Sequence, residues 1–393
     1  MPSLFDPLVA GRLQLANRIV LAPLTRNRSP GAVPGPHALA YYTQRATAGL
    51  LVTEGTAISQ RGQGYADVPG LYAPAQLQAW RRVTDAVHAA GGTIVTQIWH
   101  VGRVSHTSLQ PGGGAPVAPS AVAAKTKTVL IENGTPGFVE TSVPRALALD
   151  ELPGIVDDYR RAARAAVEEA GFDGVEIHGA NGYLIDQFLK RGANQRTDAY
   201  GGSIENRTRF AFEVAEAVAG AIGGGRTGIR LSPVTPANDI DDDEPQPLFE
   251  HLLRRLAPLD LAFIHMIEGA TGGPRVRAER PFDYAAARRA WRDAGAHGAH
   301  GAQGAQGTQG AHGTQGAWIV NNGYDKALAQ QALDEGADAV AFGRLFIANP
   351  DLVRRLREDA PLNTPDRTTF YGGGAKGYTD YPALAGAAAA AAD

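Results

Sequence analysis

Cysteine is absent from the 393 residues of this chain, and its absence excludes several kinds of chemistry at once. A chain without cysteine has no disulfides, no thiolate nucleophile and no Cys-ligated zinc or iron–sulfur cluster. No apolar run reaches the roughly 18 residues that a bilayer-spanning helix needs. The amino terminus also lacks the basic and apolar regions of a secretory signal. We therefore expect a cytoplasmic protein with no membrane partner.

An excess of one charge is missing as well. The chain has 37 basic and 40 acidic residues, and its lysines and arginines form no block. Because a nucleic-acid-binding surface must neutralise a run of phosphates, we expect no nucleic-acid partner. The hydrophobic content of 44% is enough for a large core. The length allows either one large barrel or two ordinary domains.

Apolar runs of strand length alternate with longer stretches of helical period, a pattern typical of parallel β/α units. Eight such units predict a TIM (β/α)8 barrel that forms a single α/β domain over residues 1–384, with an Ala-rich tail at 385–393. The expected barrel strands are Arg18–Pro23, Leu50–Glu54, Thr93–Trp99, Gly174–His178, Gly228–Ser232, Leu261–Met266, Trp318–Asn321 and Ala339–Gly343.

Two segments interrupt this regular pattern. Residues 104–147 are too long for an ordinary strand-to-helix loop, and their alternating runs Lys125–Ile131 and Gly137–Val143 predict a capping hairpin over the barrel mouth. Residues 295–316 are almost entirely Gly, Ala, Gln, His and Thr, which predicts a disordered low-complexity insertion before the seventh strand. Nothing fixes the geometry of its histidines, so we expect no metal site at His297, His300 and His312.

Three polar residues lie at the end of the fourth expected strand or shortly after it. His178, Asn181 and Tyr183 come directly after the apolar run Phe172–Ile177, and the carboxyl ends of barrel strands carry the catalytic groups of this fold. Histidine and asparagine can both donate hydrogen bonds to one carbonyl oxygen, and tyrosine can deliver a proton nearby. The triplet offers no electron source and no nucleophile, so something else must perform the difficult chemistry.

The last two expected strands are followed by candidates for a phosphate site. Asn322-Gly323 and Gly343-Arg344 lie in loops seven and eight, which commonly bind phosphate in β/α barrels. Glycine lets backbone N–H groups approach an anion, and arginine adds a permanent positive charge. The alternative is that Gly323 is an ordinary turn residue and Arg344 a surface cation. Elsewhere, two G-x-G-x-x-G strings lie in the wrong context, because neither follows a strand and opens a helix.

Three further polar residues lie in or just after expected strands. Thr25 follows strand one, Gln97 lies in strand three and Arg230 in strand five. A planar heterocycle with donors and acceptors on its edge would satisfy such groups, whose burial otherwise costs free energy. Each residue alone could equally make a satisfied hydrogen bond in the core. Their convergence on one rim favours a ligand.

These residues and their neighbours resemble the old yellow enzyme family of flavin-dependent ene-reductases, in particular its bacterial N-ethylmaleimide and pentaerythritol tetranitrate reductase type. The resemblance extends over nearly the whole chain. Its motifs are Ala22-Pro-Leu-Thr-Arg26, Gln97-Ile-Trp-His-Val-Gly-Arg103, His178-Gly-Ala-Asn-Gly-Tyr183 with Gln187-Phe-Leu189, Asn194 to Ser203, and Phe370-Tyr-Gly-Gly-Gly374.

The resemblance implies a barrel that binds FMN at its carboxyl face, takes hydride from NADPH or NADH, and reduces the activated C=C bond of enones, with nitro compounds and nitrate esters as further substrates. It implies that His178 and Asn181 polarise the substrate carbonyl and that Tyr183 donates the proton. It leaves open whether the protein is a monomer or a homodimer. The implied FMN-binding residues are Pro23, Thr25, Gln97, Arg230, Gly323, Gly343 and Arg344, and the implied walls of the substrate pocket are Tyr65, Trp99 and Tyr371.

Two other functions on the same barrel are considered. A non-catalytic flavin-binding sensor would keep the flavin residues but would have no use for Tyr183 as a proton donor. A Schiff-base aldolase needs a lysine inside the barrel. The lysines Lys125, Lys127, Lys190, Lys326 and Lys376 are all expected in loops or helices.

Overall fold

The computed structural model describes residues 1–132, 135–298 and 316–385. Its strands are β1 (Leu8–Ala10), β2 (Leu13–Leu15), β3 (Ile19–Leu21), β4 (Leu50–Ala57), β5 (Ile94–Trp99), β6 (Val117–Ala118), β7 (Lys127–Glu132), β8 (Thr135–Glu140), β9 (Arg145–Ala146), β10 (Gly174–Gly179), β11 (Thr227–Leu231), β12 (Phe263–Ile267), β13 (Ala317–Asn321) and β14 (Ala339–Phe342). Strands β3, β4, β5 and β10 to β14 close into one parallel barrel in chain order, as expected.

Helices cover the outside of the barrel. They are α1 (Pro36–Thr43), α2 (Pro74–Ala89), α3 (Leu152–Glu168), α4 (Leu184–Leu189), α5 (Ile204–Ile222), α6 (Pro245–Leu256), α7 (Tyr284–Gly298), α8 (Lys326–Asp334), α9 (Arg344–Ala348) and α10 (Leu352–Arg357). Side-chain caps define several starts: the Ser203 hydroxyl accepts from the Asn206 N–H at α5, and Asp325 accepts from the Leu328 N–H at α8. The barrel strands are buried on both faces, by the helices outside and by the side chains of the lumen inside, which explains their largely apolar sequences.

The lumen of the barrel changes from apolar to polar along the strands. Its lower part is a cluster of buried apolar side chains that includes Val20, Val52, Val95, Phe263 and Ile319. Nearer the carboxyl ends the buried residues are polar. Since alternate residues of a strand face the same side, these polar groups stand above the apolar ones. They are Gln97, Glu176, His178, Arg230, His265 and Asn321.

A short hairpin, β1 and β2, closes the amino-terminal end of the barrel. Ala10, Leu13 and Leu15 belong to the apolar lumen cluster, and the Arg12 N–H donates to the Gly225 carbonyl at 2.8 Å. Sequence analysis did not predict this hairpin, because three-residue strands are too short for a recognisable periodicity.

The segment 104–147 forms the expected cap. Strands β7 and β8 pair antiparallel, and β6 pairs with β9 in a second small sheet. Lys127 therefore lies in a strand, which corrects the expectation that every lysine falls in a loop or helix. The hairpin lies over the barrel mouth, because Lys127, Val129 and Phe138 line the same cavity as residues of the barrel strands.

Helix α7 continues to Gly298, so the first residues of the expected insertion at 295–316 are helical rather than disordered. The rest of that insertion, 299–315, lies outside the described residues, as does the tail from residue 386. Within the described part of the chain, no helix combines the length and the apolar character needed to cross a membrane.

Candidate active site

A cavity of about 640 Å³ opens at the carboxyl ends of the barrel strands. Its size and its mixture of apolar and polar walls are typical of a small-molecule site. Three of the residues singled out from the sequence, Gln97, His178 and Trp99, are buried and do not line it. The others do line it, and they are Pro23, Thr25, Tyr65, Asn181, Tyr183, Arg230, Gly323, Gly343, Arg344 and Tyr371.

His178 lies near the end of β10 and pairs in register with Arg230 of β11. Burial, together with the positive charge of Arg230, lowers the pKa of His178 well below its ordinary value, so the ring is neutral. The Ala180 N–H donates to Nδ1 at 3.3 Å, which makes Nδ1 an acceptor. In a neutral imidazole the other nitrogen then carries the proton, so Nε2–H is the available donor.

Asn181 has a left-handed backbone conformation with φ of 59°. Its backbone is fixed on both sides: its N–H donates to the Ser232 hydroxyl at 2.8 Å, and its C=O accepts from the Asn238 amide at 2.8 Å. The side-chain oxygen Oδ1 accepts from the Thr271 hydroxyl at 2.6 Å. Asn181 can therefore present its amide NH₂ to a ligand in the cavity.

Tyr183 is the last residue before α4 and is nearly buried. Its hydroxyl lies 2.9 Å from the hydroxyl of Tyr65. Burial raises the pKa of Tyr183 to about 12, so the phenol is protonated at neutral pH.

Trp99 stands behind this group and supports it. The indole is buried and stacks on Tyr65 at 5.8 Å and on His178 at 5.9 Å, measured between ring centroids. Its edge also contacts Tyr183 at 4.9 Å. The indole fits because Gly55 of the neighbouring strand has no side chain: a Cβ there would lie 2.6 Å from the ring. Trp99 thus sets the position of the three side chains rather than forming the cavity wall itself.

Two groups of hydrogen-bonded polar side chains lie at the carboxyl end of the barrel lumen. Gln97 donates its amide to Glu176 at 2.7 Å, and the second Glu176 oxygen lies 2.6 Å from His265 Nδ1. Arg230 donates to the Asn321 amide oxygen at 2.6 Å. Burial lowers the pKa of Arg230 to about 10, which still leaves a cation at neutral pH. With its NH₂ bonded to Glu176, Gln97 retains its amide oxygen as an acceptor.

This set of donors fits FMN. Arg230 Nε is buried and has no hydrogen-bond partner within the described residues, so an acceptor on a ligand would satisfy it. Gly323 lines the same cavity, and it has φ of 70° and no described atom within 4 Å of the position of a Cβ, so its backbone is open to a ligand. Gly343 and Arg344 lie beside it in the same wall. The cavity thus offers an unpartnered side-chain donor at Arg230 and an open backbone at Gly323.

The wall at the cavity mouth comes from the carboxyl-terminal segment. Arg26 donates to the carbonyls of Phe370 and Gly377 at 2.9 and 2.7 Å. Arg28 donates to the carbonyls of Thr369 and Gly374 at 2.8 and 3.0 Å. Both arginines are buried, so these bonds hold the segment that carries Phe370 and Tyr371 against the end of β3.

Several cavity residues were missed from the sequence. Asn321 ends β13, and a polar residue at the carboxyl end of a barrel strand was a usable signal. Thr271 and Gly272 lie in the loop after β12, and Val129 and Phe138 lie in the hairpin. Val129 and Phe138 belong to the hairpin expected over the barrel mouth, whereas nothing in the sequence marks Thr271 and Gly272, because only the tertiary structure brings their loop to the cavity.

Comparison with known proteins agrees with this site. Residues 3–363 match the NADH:flavin oxidoreductase / NADH oxidase family. The chain is 46% identical to putative 12-oxophytodienoate reductase 11 of Oryza sativa subsp. japonica, over 97% of both chains. It is 47% identical to 12-oxophytodienoate reductase 1 of the same plant, over 97% of this chain and 93% of that one.

Solved structures are equally similar. Morphinone reductase in complex with tetrahydroNAD has a TM-score of 0.87 and 48% identity, covering 98% of both chains. The old yellow enzyme homologue from Zymomonas mobilis has a TM-score of 0.87 and 42% identity, covering 97% of this chain and 99% of that one.

A closed parallel barrel with a donor-lined cavity at its carboxyl face, together with these matches, defines a flavin-dependent oxidoreductase. The chain belongs to the old yellow enzyme family of FMN-dependent ene-reductases. It uses NAD(P)H as hydride donor and reduces activated carbon–carbon double bonds. These findings confirm the family, the fold, the cofactor and the enzymatic activity that the sequence predicted. They favour this activity over the two alternatives, a non-catalytic flavin-binding sensor and a Schiff-base aldolase.

Proposed function

We propose that this cavity reduces the C=C bond of α,β-unsaturated carbonyl compounds, with His178 and Asn181 binding the carbonyl oxygen and Tyr183 supplying the proton. The observation that carries the proposal is the placement of these side chains together. The rings of His178 and Tyr183 lie 4.9 Å apart, and Asn181 and Tyr183 line the same cavity. Asn181 and the proposed acid Tyr183 therefore face the cavity, and the ring of His178 lies directly beside Tyr183.

The electrostatics of the two donors suit an oxygen on which negative charge develops. His178 is neutral and donates through Nε2–H, because Nδ1 is occupied by the Ala180 N–H. Asn181 presents its NH₂, because Thr271 occupies its oxygen. Donors that are fixed before the reaction stabilise the charged transition state more than the neutral ground state.

Tyr183 is suited to act as the acid. Its raised pKa keeps the proton in place at neutral pH, and its hydroxyl already has a hydrogen-bond partner in Tyr65. We propose that this proton goes to the α carbon of the substrate. The Tyr65 hydroxyl then stabilises the phenolate oxygen that remains on Tyr183.

FMN supplies the hydride chemistry when it is bound, since it can accept hydride from NAD(P)H and donate it to carbon. We propose that Pro23, Thr25, Gln97 and Arg230 hold the ring. The Gln97 oxygen is the atom left to accept from a ring N–H, since its NH₂ is bonded to Glu176. The proposed phosphate-binding residues are Gly323, Gly343 and Arg344.

The mouth of the cavity favours substrates with a bulky ring system. Phe138 of the hairpin and Tyr371 of the carboxyl-terminal segment are 63% and 46% exposed and meet edge to face at 6.5 Å. Relatives named for 12-oxophytodienoate and morphinone act on compounds whose names denote ketones, which supports a carbonyl-binding site. Nitro compounds, nitrate esters, a cytoplasmic location and a monomeric or homodimeric state stay predictions from the sequence.

Two measurements on the FMN-loaded protein test the proposal. Under anaerobic conditions its yellow colour should disappear with NADPH and return on addition of cyclohexenone. The double variant His178→Ala/Asn181→Ala should lose the absorbance change that 4-hydroxybenzaldehyde causes in the oxidised protein, because a phenol oxygen needs the same two donors. FMN content serves as the control. Undiminished affinity for the phenol in the double variant would contradict the assignment.

A further inference from the structure

The loop between β12 and α7 contacts the proposed substrate site through one hydroxyl. Thr271 lies in this loop and lines the cavity together with Gly272 and Gly273. Its Oγ1 is 2.6 Å from Asn181 Oδ1. This separation is typical of an O–H···O bond and shorter than the usual N–H···O bond, so the threonine is the donor and the amide oxygen is the acceptor.

A second threonine holds the first in place. The Thr271 N–H donates to Thr235 Oγ1 at 3.0 Å, and the two hydroxyl oxygens are 3.2 Å apart. Thr235 is buried, whereas Thr271 is exposed to the cavity. With its backbone bonded to Thr235 and Thr235 Oγ1–H donating to its oxygen, Thr271 directs its own hydroxyl proton towards Asn181.

This bond decides which end of the Asn181 amide faces a ligand. The backbone of Asn181 is fixed by Ser232 and Asn238, but these bonds do not orient the side chain. The last torsion of asparagine is broad and roughly two-fold, so the oxygen and the NH₂ can exchange places at little cost. An amide oxygen turned to a substrate carbonyl would repel it, whereas the NH₂ would bind it.

We propose that Thr271 is a positioning residue that locks the Asn181 amide with its NH₂ towards the substrate and thereby selects ligands that bring an acceptor oxygen. This proposal rests on the proposed function, in which Asn181 binds the carbonyl oxygen. The alternative is that Thr271 only supports its loop. That loop also contacts a proposed phosphate-binding residue, since Arg344 donates to the Gly272 carbonyl at 2.5 Å. The test must therefore separate the two effects.

The experiment compares Thr271→Val, which has the same shape without the hydroxyl, with Thr271→Ser, which keeps it. The FMN-loaded variants are titrated with 4-hydroxybenzaldehyde, and their FMN dissociation constants are measured separately. We expect Thr271→Val to weaken phenol binding about 2- to 13-fold, the range of one net hydrogen bond, and Thr271→Ser to restore it. FMN affinity should stay unchanged in both, since each substitution changes only the Thr271 side chain and leaves the Gly272 carbonyl bonded to Arg344.

A double-mutant cycle with Asn181→Ala completes the test. If Thr271 acts through Asn181, Thr271→Val has no further effect on phenol binding in the Asn181→Ala background. Equal weakening in both backgrounds, or a parallel loss of FMN affinity, would show a loop effect and overturn the proposal. An affinity unchanged by Thr271→Val while Asn181→Ala weakens it refutes the role of Thr271 alone. Wild-type affinity in Asn181→Ala refutes the proposed function of Asn181 and the role of Thr271 with it.

Discussion

Replacement of Tyr183 by phenylalanine removes the proposed acid and leaves its ring in place. The ring packs edge to face against Trp99 and against His178, with centroids 4.9 Å apart in each case. Phenylalanine keeps both contacts, so the fold and the neighbouring donors should be preserved. The change therefore tests the hydroxyl alone.

The expected effect lies in one half of the reaction. A positioned general acid contributes roughly 10²–10⁴-fold, which corresponds to about 3–5 kcal/mol of activation free energy. Reduction of the flavin by NADPH needs no proton on carbon, so its rate in Tyr183→Phe should stay near that of the parent. Reduction of the alkene should slow by roughly 10²–10⁴-fold.

Tyr65→Phe is the matched control. It removes the partner 2.9 Å from the Tyr183 hydroxyl but leaves the acid. One net hydrogen bond is worth about 0.5–1.5 kcal/mol, so alkene reduction should slow by about 2- to 13-fold. Because burial raises the pKa of Tyr183 to about 12, the acid stays protonated, and Tyr183 should cause no loss of rate between about pH 6 and 9.

Anaerobic stopped-flow absorbance of the FMN-loaded protein measures the two halves separately. NADPH is mixed with oxidised protein in one experiment, and cyclohexenone with reduced protein in the other. Equal slowing of both halves in Tyr183→Phe would refute the assignment. So would a control variant slowed as much as Tyr183→Phe itself.

Three further predictions concern binding and stability. Arg344→Ala should weaken FMN binding about 10- to 100-fold, as expected for a lost charge-assisted bond, but leave riboflavin binding unchanged; equal losses in fluorescence titrations would place Arg344 away from the phosphate. Asp242→Asn should lower the free energy of unfolding, measured in urea, by about 3–5 kcal/mol, because Asp242 forms a fully buried ion pair with Arg207 at 2.6 Å. The control is Asp243→Asn: Asp243 is exposed, so its replacement should lower the free energy of unfolding by less than about 1 kcal/mol. Burial lowers the pKa of His100 to about 3, so below about pH 6.5 this histidine binds a proton in the unfolded chain but not in the folded protein. From pH 7.5 to 5.5 the free energy of unfolding should therefore fall by about 1.4 kcal/mol more in the parent than in His100→Asn. A constant difference between the two proteins would contradict a neutral His100.

Much of the fold could be predicted because the apolar composition of the barrel strands indicates that they are buried. The expected strand Thr93–Trp99 and the observed β5 differ by one residue, since an apolar run buried on both faces is recognisable without its neighbours. The hairpin of β1 and β2 is different. Its short strands are buried only because they pack against the apolar residues at the base of the barrel, and their own sequence does not reveal this contact.

Site residues could be predicted where their position along a strand is enough to place them at the carboxyl rim of the barrel. His178 and Arg230 lie at strand ends, and the barrel brings such ends together. Pairings between distant segments could not be predicted. Glu176 with His265 and Thr271 with Asn181 depend on which strands and loops become neighbours. The buried ion pair of Asp242 with Arg207 of α5 likewise depends on which segments become neighbours.

The two arginines that follow β3 have a consequence for how this site can be altered. Arg26 and Arg28 bind main-chain carbonyls of the segment around Tyr371, and their guanidinium groups also lie over the ring of Tyr378, 4.9 and 4.7 Å from its centroid. Because the hydrogen bonds do not involve the side chain of Tyr371, selection or engineering can vary this wall residue while the attachment of its segment stays constant. The side chains of this outer segment, and with them the range of substrates admitted, can thus diverge among related enzymes while the barrel that carries the catalytic groups stays the same.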